Sequence, residues 1–252
     1  MNDQQFAAKV QGIVAANGNN GFLETAKRWH DASRAYSYQY LFRWGGRPII
    51  QDPQDVLALQ EVLWTSNPTL VVETGVARGG SIMLSASLLA ARAVFDGADP
   101  RARCVIGIDL ALNAEVEEHL RGSGFAPMVS LLQGSSTAPE LVAQLRAIAA
   151  RHARKVFILD SDHTHEHVLA ELRCYAPLLS PGDHLLVLDT GIEFMPEPQQ
   201  THPRWRRGSN PYTAVQAFLA EHGNDALFEI DDSHYHRFGI TCARGGFLRR
   251  VR

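Results

Sequence analysis

Five near-continuous apolar runs, separated by longer amphipathic stretches, constrain this chain more than any other feature. They read "TLVVET" (69–74), "RCVIGID" (103–109), "VSLLQG" (129–134), "KVFILD" (155–160) and "HLLVLD" (184–189). Strands buried on both faces have this composition, because neither face can carry polar side chains to solvent. The stretches at 79–95, 113–122, 138–153 and 166–179 combine helical apolar spacing with strong helix formers. Thr137 ahead of Pro139 and Glu140 marks a helix start. Strand and helix in alternation predict βαβ units and a doubly wound, mostly parallel α/β sheet. After Asp189 come a long Pro- and Arg-rich loop and a helix over 212–222. "ALFEIDD" (226–232) and "RFGITCA" (237–243) then read as a closing antiparallel pair.

Residues 1–66 differ in kind, being aromatic-rich ("YSYQYLFRWGGRPI") and then helical ("QDVLALQEVLW"). They read as an N-terminal cap segment on a ligand-binding domain over 67–252. The net charge of −3 gives no bulk attraction to nucleic acid. Three scattered cysteines argue against a disulfide framework and a cysteine zinc site. The opening "MNDQQFAAKVQGIV" is not a secretory signal, and no apolar run spans a membrane, so a cytoplasmic protein is expected. A homo-oligomer is left open.

In a sheet of this kind ligands bind beyond the carboxyl ends of the strands, near the switch in strand order. Here those ends carry Glu73-Thr74-Gly75, Asp109, Gly134-Ser135-Ser136, Asp160 and Asp189. Packing does not account for the set, since buried carboxylates are costly without partners. In "ETGVARGGS" (73–81), Gly75, Gly79 and Gly80 let backbone N–H groups approach a ligand at a helix N-terminus. Ala77 occupies the second glycine position of the dinucleotide fingerprint, and no Gly-Lys-Ser/Thr follows for a Walker loop. Glu73 directly before the turn would repel a pyrophosphate. S-adenosylmethionine, with its sulfonium, amine and ribose, fits this lining better than NAD.

"VVETGVARGGSIMLSAS", "ILDSDHTHEHVLAELRCYAPLLSPGDHLLVLDT" and "NPYTAVQAFL" resemble the cephalosporin hydroxylase family of S-adenosylmethionine-dependent methyltransferases, which includes rhamnosyl O-methyltransferases. "FRWGGRPIIQDPQDVLALQEVLW" and "GGFLRRV" extend the resemblance over roughly 35–252. It implies a class I methyltransferase fold with a seven-stranded sheet containing one antiparallel strand. The implied cofactor set is Glu73, Thr74, Gly75, Ala77, Gly79, Ser81, Asp109, Leu110, Gly134, Ser135, Ser136 and Asp160. It further implies a divalent metal at Asp160 and Asp189. The family pattern "EDT" is "LDT" here, with Leu188 in place of an acid, and His234 and His236 add histidines near the chain end.

"DSDHTHEH" (160–167) holds the chemistry most in question. Metal-assisted O-methylation needs a hard cation at the acceptor hydroxyl and a base for its proton. Mg²⁺ keeps several waters, so Asp160, Asp162 and Asp189 suffice as ligands. His163 is a suitable base near neutral pH, and with Asp160 forms the catalytic pair. A competing reading makes His163, His165 and His167 zinc ligands of a hydrolase, although neither H-x-H-x-D-H nor H-E-x-x-H is complete. His165 and His167 otherwise form a solvated first helical turn. Arg204, Trp205, Arg206 and Arg207 suit an acceptor-binding loop or an exposed one, and Tyr36, Tyr38, Tyr40, Trp44 and Arg47 a cap or core packing.

The resulting expectation is an O-methyltransferase using S-adenosylmethionine, with Mg²⁺, on a hydroxyl of a sugar or glycosylated metabolite. Two alternatives remain: a zinc hydrolase built on 160–167, and a catalytically weak cofactor-binding partner protein that lacks the acid at 188.

Overall fold

The computed structural model describes residues 1–221 and 227–252. The chain begins with α1 (Asp3–Asn17) and α2 (Phe22–Arg34), then a short hairpin of β1 (Phe42–Trp44) and β2 (Arg47–Ile49), then α3 (Pro53–Ser66). Gly45 and Gly46 both adopt positive φ at the hairpin turn, which explains the glycine pair. Next come β3 (Leu70–Thr74), α4 (Gly80–Phe95), β4 (Cys104–Asp109), α5 (Ala114–Arg121) and β5 (Val129–Gln133). They are followed by α6 (Pro139–Ala149), β6 (Lys155–Leu159), α7 (His165–Tyr175), β7 (His184–Val187) and α8 (Pro211–Glu221). The chain closes with β8 (Phe228–Ile230), α9 (Ser233–Phe238) and β9 (Phe247–Arg250).

The main sheet has the order β5-β4-β3-β6-β7-β9-β8, with β9 antiparallel to both neighbours and the other pairs parallel. Strand order reverses between β3 and β6, so the crevice expected to bind ligand opens at Thr74 and Leu159, which pair in register. Alternate side chains separate into two apolar layers. Val71, Val105, Val156, Leu186 and Leu188 face α3 and α4, whereas Leu70, Ile106, Phe157, Leu185 and Val187 face α6, α7 and α8. This period of two carries both cores. Among the described residues no helix is long and apolar enough to cross a membrane.

Two sequence readings are corrected. "RFGITCA" is not a strand: its start completes α9, which ends at Gly239 with φ +70°, and the rest is irregular. Its polar groups go to α3 and to the turn after β7. Thr241 Oγ1 donates to Asp55, Cys242 N donates to Asp55 Oδ2 (2.7 Å), and Gly191 N donates to Cys242 O (2.7 Å). The antiparallel partner of β8 is β9 instead. The α6 N-cap is Ala138, one residue after Thr137, with Pro139 in the first turn. His222 and Ala226, at the ends of two expected elements, lie outside the described residues.

Candidate active site

The glycine loop joins β3 to α4. Gly75 has φ +89°, and a Cβ there would meet Asp160 O at 2.0 Å, so only glycine lets the β3 and β6 ends lie this close. Gly79 caps α4 at φ +81° with no side-chain cap, which leaves the first N–H groups of a long helix for a ligand. Ala77 also sits at positive φ (+44°). Asp109 supports this turn: its Oδ2 accepts from Val76 N (2.9 Å) and Ala77 N (3.2 Å), and its Oδ1 from Ala111 N (3.1 Å). A carboxylate offers about four lone-pair sites, so room is left for a ribose hydroxyl.

Two cavities open at the crevice. The first, about 390 Å³, takes in Ala77, Gly79, Ser81, Asp160, Leu188 and Asp189. The second, about 430 Å³, takes in Asp109, Leu110, Gly134, Ser135, Ser136 and Asp162. Leu110 is 72% exposed there, an apolar surface for a flat ring. Gly75, Ser161, His163 and Trp205 line both cavities and mark where they meet.

Glu73 and Thr74 line neither. Glu73 is 1% exposed and lies behind Ser81, whose hydroxyl donates to one of its oxygens while Oε2 has no partner. Burial pushes its carboxyl up to about 7, against the hydrogen bond from Ser81. Thr74 holds the β6 end, accepting from Asp160 N at its carbonyl (3.0 Å) and Oγ1 (3.4 Å).

Asp160, His163 and Asp189 each offer a ligand atom within 4.8 Å of the others. His163 Nε2 lies 3.2 Å from Asp189 Oδ2. Asp189 is held at φ +54°, a left-handed conformation that costs energy for a residue with a Cβ. Asp160 is held well above the usual carboxylate range, first by burial and then by the charges of Asp189, Glu73 and Glu171. Among the described residues neither Asp160 nor Asp189 pairs with a lysine or arginine. Two carboxylates with that deficit of positive charge fit a hard divalent cation whose remaining positions are filled by water, with the His163 imidazole beside them.

Asp162 is not brought to this group. Its Oδ1 accepts from Thr164 N (2.9 Å) and its Oδ2 from Arg204 (2.7 Å). Burial raises its pKa, but those bonds outweigh burial and hold it low. Nor do His165 and His167 form a solvated turn. They begin α7, but His165 Nδ1 is 2.8 Å from Thr213 Oγ1. His167 Nε2 meets Ser136 Oγ and Ser161 Oγ, both at 3.1 Å, in front of buried Glu171. The hydrogen bond to Glu171 raises the pKa of His167. With these nitrogens engaged elsewhere, a zinc site joining His165 or His167 to His163 is not assembled.

The loop after β7 is tied down rather than free. Glu193 Oε2 accepts from Gly208 N (2.8 Å) and Asn210 Nδ2 (2.6 Å), and Arg207 donates to Glu193 O (3.2 Å) and Met195 O (2.9 Å). Trp205 stacks on His202 (4.1 Å) and presents an edge contact to His163 (5.7 Å). Of the N-terminal aromatics only Tyr40 lines the first cavity; Tyr38 packs between Trp29 and Phe42, Trp44 donates to Ser87 and Tyr36 faces solvent. Arg47 donates to Arg78 O (2.9 Å), bracing the glycine loop. Arg34, Gln39, Gln51 and Asp52 complete the wall. Sequence reasoning missed these four, because they follow no motif; the nearest signal was the i, i+4 pair His30 and Arg34 on α2.

Residues 36–251 match the family model described as Rhamnosyl O-methyltransferase/CmcI. The chain is 32% identical over 208 residues to a rhamnosyl O-methyltransferase of Mycobacterium leprae (strain TN), covering 82% of each chain. It is 34% identical over 197 residues to one of Mycobacterium tuberculosis (strain ATCC 25618 / H37Rv), covering 78% of this chain and 73% of the relative. It superposes on two CmcI structures, an apo form of CmcI-N160 and CmcI-D160 with Mg and SAM. Each has a TM-score of 0.56 at 21% identity and covers 84% of this chain, with 77% and 78% of those chains matched. At that identity the superposition establishes the fold.

Proposed function

The chain belongs to the rhamnosyl O-methyltransferase/CmcI family and is an S-adenosylmethionine-dependent O-methyltransferase; we propose that it methylates a hydroxyl of a sugar or glycosylated metabolite in the cytoplasm, assisted by Mg²⁺. The observation that carries this reading is the junction of the two cavities at Gly75, Ser161, His163 and Trp205, beside Asp160 and Asp189. A donor whose nucleoside lies in the second cavity and whose amino-acid end reaches the glycine loop would meet there an acceptor held in the rest of the first cavity, as group transfer requires.

The second cavity suits the nucleoside. Asp109 would accept from the ribose, Leu110 would cover the base, and Ser135 and Ser136 would offer polar contacts. In the first cavity the free α4 N–H groups suit a carboxylate, and Ser81 with Glu73 behind it an ammonium group. S-adenosylmethionine supplies an electrophilic methyl group: its C–S bond breaks as the C–O bond forms, leaving S-adenosylhomocysteine. A cation held by Asp160 and Asp189 would bind the acceptor hydroxyl and make its proton easier to remove. His163 takes that proton. Asp189, its Oδ2 3.2 Å from the Nε2 of His163, favours the imidazolium that proton transfer produces. Trp205 gives a sugar ring an apolar face and excludes water.

Isotope transfer from methyl-labelled S-adenosylmethionine to a panel of rhamnosides, with and without chelator, tests the reading. Labelled methyl ether formed in a Mg²⁺-dependent manner is expected, and slowed by at least about 100-fold in His163→Ala. No binding of S-adenosylmethionine by calorimetry would overturn the whole reading. Binding without transfer to any hydroxyl would favour the cofactor-binding partner protein. Full turnover by His163→Ala would remove the assigned base.

A further inference from the structure

The first cavity has one wall that the reaction as described does not use. It is built from Arg34 at the end of α2 and from Gln39, Gln51 and Asp52. Arg34 precedes the stretch matched by the family model, residues 36–251.

The guanidinium of Arg34 has no adequate acceptor. Its Nε lies 3.4 Å from His30 Nε2, but that same nitrogen is 2.7 Å from Asp52 Oδ2. A ring nitrogen this close to a carboxylate oxygen donates its proton to it, and a donating nitrogen has no lone pair left for Arg34. The other contact, Nη1 to Met195 Sδ at 3.3 Å, is to a thioether, a weak acceptor. Asp52 is engaged by His30, and no carboxylate of the described residues forms an ion pair with Arg34. Arg204, at the second cavity, is by contrast taken up by Asp162 (2.7 Å).

A second group in the wall is also unmatched. Gln39 Oε1 is buried without a hydrogen-bond partner, a costly arrangement unless a ligand completes it. The wall therefore presents an unpaired cation beside an unpaired acceptor. Across the same cavity stand the unneutralised acids Asp160 and Asp189.

We propose that the acceptor carries an oxyanion, a carboxylate or a phosphate, that binds Arg34, and that a neighbouring hydroxyl of it donates to Gln39 Oε1. Arginine suits this task because its planar fork meets two oxygens at once. With the anion held at Arg34, the rest of the acceptor extends along the cavity that His163 also lines, which brings the hydroxyl to be methylated to His163. This assignment rests on the hydroxyl-acceptor reading of the cavity and narrows it from neutral sugars to acidic or phosphorylated ones.

The test is a calorimetric titration of the full chain, saturated with S-adenosylhomocysteine, using D-glucuronate, D-glucose 6-phosphate and D-glucose. At least one anionic sugar is expected to bind about tenfold more tightly than glucose, and the stronger of the two identifies carboxylate or phosphate. Arg34→Met should erase the preference while leaving S-adenosylhomocysteine affinity and melting temperature near wild type. Arg34→Lys should restore part of it, and Arg34→Gln replaces the Met variant should that fail to fold. The proposal is overturned if neither anion binds more tightly than glucose, no binding included, or if the neutral variants keep the preference. A chain that fails to bind S-adenosylhomocysteine overturns the methyltransferase reading with it; normal binding without anion preference overturns this proposal alone.

Discussion

At the scale of single residues the site turns on what stands beside Asp189. Alternation along β7 puts Leu188 on the same face as Leu186, in the layer against α3 and α4, where it is 6% exposed and also borders the first cavity. An acid at 188 would therefore be half core and half ligand. Leu188→Glu should raise Mg²⁺ affinity about tenfold or more by calorimetry, yet destabilise the metal-free protein by about 2–4 kcal/mol in urea melts, because a third acid enters a poorly solvated site. Unchanged affinity would show that position 188 does not reach the cation. Asp189→Asn removes a charge from the same group and should slow methyl transfer by at least about 100-fold without unfolding the chain. Asp160, His163 and Asp189 were legible in the sequence because strand ends are legible. The fate of Asp162 was not, since its partner Arg204 lies 42 residues away in a loop without periodicity.

At the scale of elements, regular segments announced themselves and irregular ones did not. Each parallel strand is an apolar run and each flanking helix keeps its spacing, but β5 lies at the sheet edge with Ser130 and Gln133 exposed and is not the strand buried on both faces that "VSLLQG" suggests. "RFGITCA" alternates well enough to pass for a strand, but its backbone bonds to Asp55 of α3 and to Gly191 rather than to a ladder. Nothing local in the sequence reports a bond made 186 residues away. That tie joins α3 to the segment after α9 beside the first cavity, which Cys242 lines. Thr241→Val deletes one of the donors to buried Asp55 and should cost about 1–3 kcal/mol in the urea midpoint. Thr241→Ser, which keeps the hydroxyl, should recover most of the loss. Equal destabilisation by both variants would assign the effect to packing instead.

At the scale of the whole molecule the parallel order and the switch point follow from alternation, while the charge balance of the interior emerges only once the layers close. Three carboxyls have raised pKa values, all chiefly through burial: Asp55 at about 6, Glu73 at about 7, and Asp160 well above the ordinary Asp value. A carboxyl whose pKa is higher folded than unfolded contributes stability that is fully present below the unfolded value and is lost as pH rises through the folded one. The metal-free, ligand-free protein should therefore weaken from about pH 4.5 upward, Asp55 acting mainly below pH 6 and Glu73 up to about 7. Asp162 has its pKa lowered and works the other way, contributing stability above the ordinary Asp value that is lost in acid. The Glu73 shift, from 4.5 to about 7, corresponds to roughly 3 kcal/mol. For a chain of this size that is on the order of 5–10 °C in melting temperature. Melting curves from pH 5 to 8.5 should show a fall of at least that size in the wild type, and Glu73→Gln should remove the Glu73 share of it and leave that of Asp160. An ammonium group held at Ser81, next to buried Glu73, should favour the charged form of that carboxyl through space. S-adenosylhomocysteine should then flatten the wild-type slope above pH 6 as the Gln substitution does, and should have little further effect on the slope of Glu73→Gln. Parallel slopes for the two proteins, with and without the ligand, would show that Glu73 neither titrates in this window nor meets the amine.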